Sequence, residues 1–193
     1  MSSDAIVGTI KSELSVLRAT GTSIVCLVPG NYGRRMATLV GVPDSLIVNI
    51  GNFVGESLAI VGNLGFEKLI LVGQAGKFAK LSAGSLDTHN LRSDGRMEAL
   101  AAYSALHGAT SDDVREILSS PIADGVATRI SKIPWGMAAL NELASRVVKT
   151  ALAGASGISE CACLTFSLPD RELVRTENLD RLIEEMRAVS AES

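Results

Sequence analysis

The sequence predicts an α/β fold: a three-layer sandwich with a mainly parallel sheet of about four strands and helices on both faces. Three observations carry this. Short apolar runs alternate with helical patterns along the chain, the order that builds parallel sheets with helical crossovers. The runs are continuously apolar, as strands buried on both faces require. The 193 residues are 47% hydrophobic and 20% charged, enough for one compact domain with a core.

Residues 5–18 place Ile6, Ile10, Leu14 and Leu17 on one helical face. "TSIVCLVPG" (22–30) reads as a buried strand stopped by Pro-Gly. A helix through "YGRRMATLVG" follows. "SLIVNIG" (45–51) is the second strand, "FVGESLAIVGNLG" the second crossover helix and "EKLILVG" (67–73) the third strand. Helical patterns dominate from about 94 to 153. Thr110–Asp113 reads as a capping box, and Pro121 and Pro134 sit where first-turn prolines are tolerated. Leu140, Leu143, Ala144, Val147, Val148 and Ala151 form an apolar stripe. "ECACLTFSL" (160–168) is the fourth strand, and Leu179, Leu182, Ile183 and Met186 mark a closing helix. No composition break divides residues 1–193, so a single domain is expected.

Composition narrows the function. Aromatic residues make up 4% and the net charge is −3, with both signs mixed. No basic field matches a phosphate backbone, so nucleic acid is not an expected partner. No run of about 18 apolar residues spans a membrane, and no leader pattern opens the chain. Cys26, Cys161 and Cys163 fall in expected strands and read as buried thiols. With two histidines and no Cys-x-x-Cys, no protein-bound metal is expected and a reducing cytoplasmic setting follows.

Ligands of open parallel sheets bind beyond the carboxyl ends of the strands. Three glycine-bearing loops fall there: "PGNYG" (29–33), "IGNFVG" (50–55) and "VGQAGK" (72–77). They nominate Gly30, Asn31, Gly33, Asn52, Gly55, Gly73, Gln74 and Gly76, where backbone can approach a ligand and helix N-termini can meet its oxygens. Ordinary turn residues are the competing reading. "GQAGKF" lacks the spacing of a phosphate-binding P-loop, and no Gly-x-Gly-x-x-Gly follows a strand.

The next stretch, "GQAGKFAKLSAGSLDTHNLRSDGRME" (73–98), is dense in small, basic and polar groups. Helical spacing puts Lys77 and Lys80 on one side, facing either ligand carboxylates or water. Arg92 and Arg96 interleave with Asp94 and Glu98, so the arginines either fork onto a ligand or pair with these acids. His89, beside Thr88, is the candidate for proton transfer, with a structural or hydrogen-bonding role as the alternative. His107 reads as a helix C-terminal cation.

The blocks "LVPGNYG", "GNFVGESL", "LGFEKLILVGQAGKFAKLSAG" and "DTHNLRSDGRMEALAAYSALHGA" resemble the cobalt-precorrin-5B C(1)-methyltransferase family of anaerobic cobalamin biosynthesis. The resemblance runs from about residue 5 to about 110, with no comparable block after about 115. It implies methyl transfer from S-adenosylmethionine to ring carbon 1 of a cobalt-precorrin tetrapyrrole, with Lys77, Lys80, Arg92 and Arg96 meeting its carboxylate arms. Only the C-terminal half of the family's usual length is represented. That implies a separately encoded N-terminal half, a fragment of a longer chain, or a stand-alone corrinoid or S-adenosyl-ligand binding protein; a homo-oligomer is a further expectation. Gln74 stands where the family usually has histidine, and Asn90 where serine is common.

Overall fold

The computed structural model describes residues 2–89 and 94–191. Five strands make one sheet: β1 (Ile24–Val28), β2 (Ile47–Asn49), β3 (Lys68–Gln74), β4 (Glu160–Ser167) and β5 (Arg171–Arg175). Their order is β2-β1-β3-β4-β5. The first four are parallel, with Cys26 opposite both Ile47 and Ile70, and Leu71 opposite Cys163. β5 pairs antiparallel to β4, with a register shift between Thr165 and Phe166. This fifth strand is absent from the sequence expectation. "RELVR" buries only Leu173 and Val174 among charged neighbours, so it lacks the continuous apolar run that marks the other strands.

The described helices are α1 (Ser3–Ala19), α2 (Asn31–Leu39), α3 (Val54–Asn63), α4 (Ala75–Ser82), α5 (Arg96–Leu106), α6 (Ser111–Ser119), α7 (Ala123–Ile130), α8 (Pro134–Gly154) and α9 (Leu179–Ala191). A 3-10 turn, Asp44–Leu46, leads into β2. Strand alternation sorts the core into two layers. Cys26, Ile70, Val72, Leu164 and Phe166 face α2 and α9, meeting Met36, Leu182 and Met186. Val25, Leu27, Leu69, Leu71 and Cys163 face the other way, meeting Leu14, Leu58, Phe78, Leu140 and Val147. α2 and α9 therefore cover one face, and α1, α3, α4, α7 and α8 the other. Each fully buried Leu, Ile or Phe contributes about 1.5–3 kcal/mol.

Local signals place several boundaries. Thr110 Oγ1 accepts from the Asp113 amide at 3.2 Å, while Asp113 Oδ2 accepts from the Thr110 amide at 2.8 Å, a reciprocal capping box. Pro134 occupies the first position of α8. Pro121 departs from its expected place: α7 starts at Ala123, and the proline precedes the cap residue Ile122. His107 caps the C-terminus of α5. Among the described residues, no helix is long and apolar enough to cross a membrane.

One topological feature positions the site. The chain leaves β1 toward β2 on one side and returns to β3 on the other. The helices after β1 and β2 pack on opposite faces. This reversal opens a crevice beyond the carboxyl ends of β1 and β3, the usual ligand position in open α/β sheets.

Candidate functional site

The crevice is closed by a cation that crosses it. Lys77, in the first turn of α4, donates from Nζ to the Pro29 carbonyl at 2.7 Å. This joins the β3–α4 turn to the β1–α2 turn. Lys77 is partly buried, and burial, followed by the nearby Lys80 charge, lowers its pKa. Gly30 turns here at φ +117°, a conformation that favours glycine, with Lys77 Nζ 3.8 Å from where a Cβ would stand.

Asn49 ties the first two loops together. Its Oδ1 accepts from the amides of Gly30 at 3.0 Å and Gly51 at 3.1 Å. Its Nδ2 donates to Asn31 Oδ1 at 3.0 Å. Asn52 joins the next segment: its Oδ1 accepts from Thr88 Oγ1 at 3.3 Å and its carbonyl from the Thr88 amide at 3.4 Å. The His89 amide donates to Asp87 Oδ1 at 2.9 Å, and the histidine is exposed.

Lys80 does not lie on a solvated helix face. It is 1% exposed, and its Nζ donates to the Thr88 carbonyl at 3.2 Å. Burial lowers its pKa; Arg96 adds to this, while Asp94 and Asp87 oppose it. Its place is beneath the 87–89 segment. Of the two expectations for the arginines, Arg96 pairs with acid: Nε donates to Asp94 Oδ1 at 2.9 Å. That hydrogen bond holds the Asp94 carboxyl below its usual range. Arg92 lies outside the described residues.

Beside the crevice, the N-terminal ends of α4, α5 and α7 enclose a cleft of about 310 Å³. Gln74, Gly76, Lys77, Arg96, Ile122 and Asp124 line it. Asp124 anchors it, accepting from the Gly76 amide on Oδ1 at 3.2 Å and from Gln74 Nε2 on Oδ2 at 3.4 Å. The Leu168 backbone, just past β4, also favours the ionised form of this carboxylate. Burial raises the Asp124 pKa against the opposing pull of these backbone groups and Arg96.

Gly30, Asn31, Gln74, Gly76 and Lys77 thus meet along the crevice and cleft, with Arg96 and Asp94 at the cleft's edge. Asn52, Thr88 and His89 form an adjoining group, linked to α4 through Lys80. Three glycines answer to packing. A Cβ on Gly33 would stand 2.9 Å from the Val72 carbonyl oxygen, one on Gly55 2.9 Å from Leu86 Cβ, and one on Gly73 2.4 Å from the Phe78 ring. Glu98 is exposed in the first turn of α5. Sequence reasoning missed Asn49 and Asp124. Asn49 had a signal, a lone amide ending an apolar strand. Asp124 lies 48 residues from Gly76 and looks like any first-turn helix acid.

Together, crevice and cleft give this α/β sheet a polar, mixed-charge surface at its topological switch point. Residues 87–177 match the family model described as CbiD, C-terminal domain. Along nearly its whole length the chain is similar to proteins named cobalt-precorrin-5B C(1)-methyltransferase, the family its motifs resemble. It is 33% identical to the cobalt-precorrin-5B C(1)-methyltransferase of Photorhabdus laumondii over 97% of this chain and 50% of that protein. It is 39% identical to the Alkaliphilus oremlandii protein of the same name, over 64% of this chain and 35% of the relative. For Citrobacter koseri the identity is 30% over 97% of this chain and 50% of the relative. The likeness therefore continues past residue 115, where the sequence motifs stop. The chain spans about half, or less, of the length of these relatives. No solved structure matches it.

Proposed function

We propose that this chain is the C-terminal portion of a methyltransferase that moves a methyl group from S-adenosylmethionine to ring carbon 1 of cobalt-precorrin-5B. The supporting observation is its 33% identity, along 97% of its length, to a protein of that name. The crevice has suitable chemistry. Lys77 and Arg96 offer donors to a ligand carboxylate, and Gly30 lets backbone come close. Buried Lys80 organises the 87–89 segment through Thr88 instead of reaching substrate.

The reaction is a displacement at carbon. The ring-carbon electron pair forms the new bond as the methyl–sulfur bond breaks, and sulfur leaves as a neutral thioether. The protein's task is to align donor and acceptor, the kind of positioning that lowers a two-body barrier. The remaining half of the family length, supplied by a second chain or segment, completes the enzyme, which works in the cytoplasm.

The test is reconstitution. The chain is co-purified with the N-terminal half of a relative and given cobalt-precorrin-5B and S-adenosylmethionine. Mass spectrometry should show one added methyl and an equal yield of S-adenosylhomocysteine. A stable pair that binds substrate without turnover would replace this reading with a purely binding role. Gln74, in the position of the family histidine, is the residue to exchange in that event.

A further inference from the structure

The cleft beside the crevice carries both signs of charge in a small volume. Lys77 and Arg96 line it together with the carboxylate of Asp124, in about 310 Å³. A simple anion entering would meet Asp124, and a simple cation would meet Lys77 and Arg96. A ligand with an ammonium and a carboxylate on one carbon satisfies both. We infer that this cleft binds the α-amino-carboxylate head of an S-adenosyl ligand, with Asp124 taking the ammonium and Lys77 and Arg96 the carboxylate. The inference rests on the proposed methyl transfer for the identity of the ligand, and on the cleft alone for its chemistry.

The geometry leaves room for both contacts. A carboxylate offers about four acceptor positions. Asp124 uses them on the Gly76 amide and on a long 3.4 Å contact from Gln74. The Gln74 contact is the one an ammonium at normal distance would displace. Burial already raises the Asp124 pKa, so the ionised form gains from a further cation partner. Lys77 spends one of three donors on Pro29, and Arg96 turns Nε and Nη2 toward Asp94, leaving Nη1. The N-termini of α4, α5 and α7 favour negative charge at the carboxylate end. At the end of β4, the fully buried Ser167 Oγ has no hydrogen-bond partner among the described residues, a further polar group at this edge of the sheet.

The test is calorimetric titration of the full chain with three probes: S-adenosylhomocysteine, which has the head; 5′-methylthioadenosine, which lacks it; and L-methionine, which is little more than the head. S-adenosylhomocysteine should bind at least about tenfold more tightly than either of the others, a difference of about 1.4 kcal/mol. Asp124→Asn and Lys77→Met should each remove most of the preference over 5′-methylthioadenosine. Far-UV circular dichroism checks that each variant is folded.

Equal affinities for the two nucleosides, or a preference that survives both substitutions, would overturn the assignment. So would an L-methionine affinity matching that of S-adenosylhomocysteine, which would make the cleft a free amino-acid site. Absence of S-adenosylhomocysteine binding also overturns it, whatever the reconstituted pair does. Head-dependent binding without turnover in that pair leaves the cleft assignment standing and removes the methyl-transfer reading.

Discussion

Alanine placed at Gly8, Gly33 and Gly136 should change stability in different directions, because the three sites differ only in what a methyl group would meet. Gly8 is exposed within α1, and nothing lies within 4 Å of a Cβ built there. The substitution gains about 1 kcal/mol of helix propensity. Gly33 is buried in the first turn of α2. Its Cβ would stand 2.9 Å from the Val72 carbonyl oxygen and 3.0 Å from Val28 Cβ, against ordinary contact from 3.4 Å. β1 and β3 are interior strands, so the missing half-ångström must come from α2 lifting off the sheet. Such overpacking costs about 1–3 kcal/mol, and the propensity gain of about 1 kcal/mol opposes it. The net is a loss of about 1 kcal/mol. Gly136, in the first turn of α8, would put its Cβ 2.0 Å from the Ile130 carbonyl oxygen, so its loss should reach about 3 kcal/mol. For a chain of this size each kcal/mol moves Tm by about 2–4 °C. Thermal and urea unfolding followed by far-UV circular dichroism reads all three. A Gly33→Ala protein as stabilised as Gly8→Ala would refute the close seating of α2 on the sheet, and with it the placement of the Gly30–Asn31 turn.

Burial pushes the Cys163 thiol up to about 12 and raises Cys26 and Cys161 as well, so a thiol reagent near neutral pH should label none of the three in the folded protein and all three in denaturant. Asp124 and Glu160 should shift stability with pH in opposite senses. The folded Asp124 pKa is raised by burial, so its charge costs stability as pH rises through that value, and Asp124→Asn should gain on the parent from about pH 4 to about pH 7. The folded Glu160 pKa is lowered by hydrogen bonds from Arg181 and Asn178, so its contribution is full above the unfolded value and lost as pH falls through the folded one. Glu160→Gln should therefore be less stable at about pH 7, with the gap closing at lower pH; urea midpoints across that range check both signs. Thr110→Ala removes one side of the α6 capping box and should cost about 1 kcal/mol in the same assay.

Much of the fold could be read from short-range pattern. β1, β2, β3 and β4 are continuous apolar runs because both faces are covered, and Pro29-Gly30, Thr110 and Pro134 mark ends through their own backbone chemistry. β5 escaped because an edge strand with one buried pair carries little period, and Pro121 misled because a proline two residues early looks like one at the first helical position. For the site, the residue types of 73–98 announced a polar wall, but not who faces whom. Arg96 could have met ligand or acid; its rotamer puts Nε and Nη2 on Asp94 while the side chain lines the cleft. Lys80 could have met water; packing of the 87–89 segment buried it.

By itself the order of residues determined the alternation of strands and helices, the glycine turns after three strands and the family likeness. These depend on periodicity, backbone preference and local motif, all carried within a few residues. Only the tertiary structure decided that Lys77 spans to Pro29, that Asn49 holds two loops, and that Asp124 reaches Gly76 and Gln74 across 48 and 50 residues. Those contacts follow from a strand order that reverses at β1. No local rule records which distant side chains a shared sheet edge will bring together.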